Sequence, residues 1–90
     1  MMADSAKVTR MLKTARGQID GILKMVDDDR YCIDISTQLM ATQALLARVN
    51  ADVLKAHIGC CVKSAANSED EALKAEKLAE IERVIEKLAK

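Results

Sequence analysis

A chain of 90 residues makes one domain (1–90) with a modest core, so a simple fold or an obligate oligomer is expected. Half of it is apolar, yet it holds no Phe, Trp or Pro, one Tyr and three Gly, while Ala, Leu, Glu and Lys dominate, a composition that favours helix. The formal net charge is zero, which excludes a global pull toward nucleic acid. No apolar run approaches the roughly 18 residues of a membrane span and the start, MMADSAKVTR, lacks the apolar core of a signal peptide, so a cytoplasmic protein without membrane contact is expected. In a reducing cytoplasm an odd set of three cysteines points to metal binding or redox chemistry rather than to disulfides.

The first predicted element is an amphipathic helix over about 6–26, with Val8, Met11, Leu12, Ala15, Ile19, Ile22, Leu23 and Val26 at spacings of three and four. Asp4 or Ser5 can cap it, and Asp27, Asp28 and Asp29 end it. A second helix, about 31–66, meets no breaker but Gly59 before Asn67 and Ser68, and at 1.5 Å per residue it is roughly 50 Å long. A helix of that length in so small a chain must pack against something outside the chain. The third, about 69–89, opens with Ser68 and Glu71 in the pattern of a capping box and carries Leu73, Leu78, Ile81, Ile85 and Leu88. The fold class is all-α, three helices with a long central one.

The central helix carries the chemistry. His57, the one histidine, precedes Cys60 and Cys61 in HIGCCV, and Cys32 lies 25 positions upstream of it. That interval is about 37 Å along a helix, too far for one ion within one subunit. In angle, however, Cys32, His57 and Cys61 return to within roughly 20° of one direction, so all three lie on one stripe. Two such helices running antiparallel about a two-fold axis near Leu45 and Leu46 would set Cys32 of one chain against His57 and Cys61 of the other. Two equal sites per dimer result, with Leu39, Gln43, Leu46, Asn50 and Leu54 along the seam. His57 and Cys61, four apart, form a clip, and two thiolates with one imidazole make a soft set suited to three-coordinate Cu(I). Cys60 stands about 100° off the stripe, as a packing residue.

Lys7, Arg10, Lys13 and Arg16 recur every three residues on the first helix, and Arg48 on the second can join them in a patch for DNA phosphates. There is no helix-turn-helix signature and no aromatic platform for bases. An enzyme is not expected, since no acid or base stands near His57 in sequence and no cofactor motif is present.

From about Val8 to Leu88 the chain resembles the CsoR-type copper-sensing repressors, within a wider group of nickel or cobalt, formaldehyde and persulfide sensors. The resemblance is strongest in MLKTARGQIDGILKMVDDDRYCIDISTQL and HIGCCV. Those stretches match the family's R-L-K-x-x-x-G-Q-x-x-G-I with a following Tyr-Cys pair, and its His-x-x-x-Cys clip. The resemblance implies a Cu(I) site of Cys32 from a neighbouring subunit with His57 and Cys61, supported by Tyr31 and by a third-helix Glu. That Glu is Glu80 if the preceding loop is about three residues longer than usual, and Glu76 if it is not. It further implies a homotetramer built from two antiparallel dimers, which binds operator DNA when metal-free and leaves it on taking Cu(I), derepressing copper-efflux genes. Arg10, Lys13, Arg16 and Arg48 are the implied DNA contacts, although Met11 stands where the family has the Arg before Leu-Lys. The alternatives are a persulfide or thiol switch through Cys32 and Cys61 of a neighbour, a sensor of another metal, and a metal-trafficking or structural module without DNA binding.

Overall fold

The computed structural model describes residue 1 and residues 3–89, the side chains of Cys61 and Ala89 excepted. Three helices follow in order, α1 (Ser5–Asp27), α2 (Cys32–Ala66) and α3 (Glu71–Ala89). Asp4 caps α1, its carboxylate accepting from the Ala6 and Lys7 amides at 3.0 and 3.2 Å.

The turn after α1 is made by its aspartates. Asp28 closes the helix through its amide to Lys24, and Asp29 adopts φ 53°, the left-handed region. Asp tolerates that region better than most residues because its short carboxylate can bond locally. A β-branched residue cannot, so Asp29→Val is expected to cost about 1–2 kcal/mol and Asp29→Gly nothing. Thermal melts of the two variants beside the parent check this, and equal melting of Asp29→Val and the parent contradicts it.

α1 and α2 run antiparallel, as two polar contacts show: Lys7 Nζ to Asp52 Oδ2 at 3.1 Å, and Thr42 Oγ1 donating to Gln18 Oε1 at 2.8 Å. Between them the buried Val8, Ala15 and Ile22 of α1 and the buried Thr42 and Val49 of α2 step by seven, the repeat of helices packed along a narrow seam. Thr42 is the one buried polar side chain among the described residues, and its hydroxyl is satisfied across the seam. The far end of α2 extends beyond α1 and is covered by α3, which turns back along it.

The cap of α3 departs from the expected box. Asp70 accepts from the Ala72 and Leu73 amides at 2.9 and 3.3 Å, while Ser68 Oγ accepts from Asp70 N at 3.0 Å in the turn before it. A carboxylate at the positive end of the helix outcompetes a hydroxyl two positions earlier, and the helix starts at Glu71.

The three helices form a single layer of 60 × 28 × 13 Å. The radius of gyration is 18.2 Å, where a compact domain of this length has about 12 Å. The accessible area is 6886 Å² against about 5200 Å² for a compact monomer of this mass. Leu12, Ile19, Leu23 and Val26 of α1, and Ile33, Leu39, Met40 and Leu46 of α2, stay exposed on the two sides of the seam. A layer one helix thick has no interior, so many of its apolar side chains stay uncovered within the chain.

Candidate metal centre

His57 lies on α2 just beyond the reach of α1, where α3 packs alongside. Its Nε2 meets Oε1 of Glu80, and the other carboxylate oxygen of Glu80 lies 3.7 Å from Lys77 Nζ. The hydrogen bond from His57 holds the Glu80 carboxyl below the usual carboxylate range; partial burial works the other way, and the charges of Lys77, His57 and Arg83 add to the lowering. Glu80 is therefore an anion above that range and a firm acceptor. An Nε2–H given to Glu80 leaves the imidazole lone pair on Nδ1, which is the atom His57 can present to a metal.

Of the two acidic residues open from sequence, the structure brings Glu80 to His57, while Glu76 is exposed on α3. The turn between α2 and α3, with its Ser68 and Asp70 hydrogen bonds, starts α3 at Glu71. Lys77 was not among the residues picked from sequence. Its i,i+3 spacing from Glu80 was the available signal.

Cys32 is the first residue of α2 and is exposed, with Tyr31 before it as the N-cap residue, also exposed and without a side-chain cap bond. Between Cys32 and His57 lie seven turns of unbroken helix, about 37 Å. Among the described residues no three His, Cys, Asp or Glu side chains gather closely enough to hold a metal. The Cys61 side chain lies outside the described residues; its backbone continues α2 one turn beyond His57. Cys60 is exposed. Along the intervening stripe Leu39 and Leu46 are uncovered, at 47% and 41% exposure.

The structure thus holds His57 against Glu80 and keeps Cys32 seven turns away on the same helix. A thiol and an imidazole are donor types that could suit a soft ion. The basic residues Arg10, Lys13 and Arg16 stand exposed on α1 and Arg48 on α2, and the α1–α2 register sets Arg48 alongside the first half of α1. Among the described residues no helix is long and apolar enough to cross a membrane.

Residues 4–87 match the family model described as metal-sensitive transcriptional repressor. The copper-sensing transcriptional repressor CsoR of Bacillus subtilis (strain 168) is 42% identical over 64 residues, 71% of this chain and 63% of that protein. The CsoR of Mycobacterium ulcerans (strain Agy99) is 46% identical over 54 residues, 60% of this chain and 46% of that protein. The matched stretch therefore spans less than two thirds of these relatives' length. Among solved structures, the copper-sensing repressor CsoR with Cu(I) from Geobacillus thermodenitrificans NG80-2 is similar with a TM-score of 0.80 and 39% identity, over 94% of this chain and 85% of that one. The nickel-responsive transcriptional regulator InrS is similar with a TM-score of 0.83 and 26% identity, over 98% of this chain and 96% of that one.

Proposed function

The chain belongs to the metal-sensitive transcriptional repressor family, and from that premise we propose that it is a cytoplasmic copper-responsive repressor that binds operator DNA without metal and leaves it on taking Cu(I). The observation that carries the proposal is His57, held through Nε2 by Glu80 on the stripe of α2 that also carries Cys32 and Cys61. The copper- and nickel-responsive relatives resemble this fold equally well, so the fold does not select the metal. The donor types do: two thiolates and one imidazole favour Cu(I), and Ni(II) prefers a larger set richer in nitrogen and oxygen.

The functional unit in this reading is an antiparallel α2–α2 dimer, and two dimers form a tetramer. Cys32 reaches His57 and Cys61 of the neighbouring subunit, because within one chain the rod keeps them apart. The open stripe through Leu39 and Leu46 and the exposed apolar side of α1 support this assembly. Bound Cu(I) supplies a cross-link between subunits. The chain's own part is to keep His57 Nδ1 aimed along the stripe through Glu80, with Tyr31 beside Cys32. Because Glu80 belongs to α3, holding His57 also fixes where α3 lies on α2, and so ligation is tied to subunit shape. Arg10, Lys13, Arg16 and Arg48 serve the operator phosphates, and no catalytic step is assigned.

A thiol switch joining Cys32 to Cys61 of a neighbour has no need of the His57–Glu80 arrangement, which places it second. The deciding experiment is an anaerobic Cu(I) titration with X-ray absorption, alongside a gel shift on DNA upstream of the protein's own gene. One ion per subunit in a two-sulfur, one-nitrogen shell, with loss of the shifted band, is expected; a shell without nitrogen, or a band indifferent to Cu(I), sinks the proposal. Glu80→Ala is expected to lower Cu(I) affinity about 10–100-fold, because it releases the ring that presents Nδ1. Competition with a Cu(I) chelator measures this, and an unchanged affinity removes Glu80 from the site.

A further inference from the structure

We propose that Asp52 is a built-in brake on the DNA-binding face, holding the Lys7 ammonium in an ion pair that a DNA phosphate must displace. The inference rests on the repressor reading above and goes beyond it, to how tightly the metal-free protein is allowed to bind.

Lys7, Arg10 and Lys13 step by three along α1, each about 60° round from the last, so these three could serve one run of phosphates, while Arg16 stands on the side of the helix opposite Lys7. Among the described residues Lys7 is the only one of the four in an ion pair, Nζ to Asp52 Oδ2 at 3.1 Å. The acid comes from the other helix, five residues before His57 on α2, and no other ion pair joins α1 to α2 among the described residues. The side chains are 53% and 39% exposed. Pairs so open to water add little to a fold. What this one does is decide where one cation of the stripe points.

A carboxylate and a phosphate are both oxyanions, and Lys7 can serve one of them at a time. While Asp52 holds it, the face that Lys7 shares with Arg10 and Lys13 offers two cations to DNA instead of three. The carboxylate also stands at the edge of the stripe, where it repels an approaching phosphate. An assembly of several chains repeats the effect once for every chain that engages DNA. Affinity scales with salt to about the −0.9 power per phosphate contact, so one contact is worth roughly 8-fold at 0.1 M salt. The brake therefore sets a substantial part of how much DNA affinity there is for a metal to remove.

The test is fluorescence anisotropy with random-sequence duplex DNA over a range of salt, because phosphate contacts do not depend on sequence. Asp52→Asn keeps the shape and removes the charge. It is expected to bind up to about 5-fold more tightly at 0.1 M salt per engaged chain, the most that an exposed ion pair can withhold, with a steeper salt slope. Lys7→Ala alone is expected to change affinity less than about 2-fold, and in the Asp52→Asn background to abolish the gain. An Asp52→Asn protein no tighter than the parent overturns the brake, as does a Lys7→Ala protein weakened by the full 8-fold. Should Asp52→Asn fail to fold by circular dichroism, Asp52→Ser carries the same test. If neither the parent nor any variant binds duplex at low salt, the repressor reading itself falls and the brake with it; parental binding without the gain overturns the brake alone.

Discussion

His57→Ala is expected to keep its grip on operator DNA and to lose its release by copper. The imidazole contributes nothing to the basic face on α1, so the metal-free affinity should stay within about 2-fold of the parent. Its removal takes away one of three donors and the contact that ties α3 to α2 through Glu80. A metal–DNA coupling of about 3 kcal/mol, which corresponds to over 100-fold weaker DNA binding with Cu(I), should shrink to less than about 3-fold. Losing an indirect support of a metal ligand already costs 10–100-fold in affinity, and losing the ligand should exceed that. Gel shifts with and without stoichiometric Cu(I), paired with a chelator competition, separate the two quantities. Full copper-driven release by His57→Ala would remove the histidine from the mechanism.

The other large effect is expected at Leu46. It lies on the stripe shared by Cys32 and His57, near the point about which two antiparallel copies would pair, and it is 41% exposed in the single chain. In the proposed antiparallel dimer Leu46 of each subunit would approach the axis, so each substitution would count twice. Leu46→Glu removes about 2 kcal/mol of apolar burial per copy and sets two carboxylates against each other where water is excluded. Dimer affinity should fall by more than about 1000-fold. The chain alone is a layer 13 Å thick in Cα extent with four buried apolar side chains among the described residues, so helicity should fall together with the dimer. Light scattering and circular dichroism over a concentration series read both. A helical monomer of normal melting temperature would show that the chain stands alone, and an intact dimer would move the interface elsewhere.

The polar contacts were the least legible part. A buried Thr42 bonded to Gln18 and a Lys7 held by Asp52 each join residues more than twenty positions apart. Spacing within one helix says nothing of which side chain the next helix brings opposite. The same limit left Glu76 and Glu80 both open, since they are one turn apart on one face and only the docking of α3 separates them. The cap of α3 failed differently. Ser68 and Glu71 match a capping box, but Asp70 between them is the stronger acceptor, and the pattern gives no weight to that competition.

By itself the sequence determined what depends on neighbours along the chain. Three helices, with the long central one unbroken, follow from apolar spacing, caps and the lack of breakers. That Cys32, His57 and Cys61 share a direction follows from 100° per residue, because helix geometry is periodic and local. Only the tertiary structure decided which acid meets His57, which cation of the first helix is engaged, and that the folded chain is a layer with both apolar sides open. These depend on how helices slide against one another, and that register is set by the summed packing of many side chains and the length of the turns between them, which no single spacing encodes.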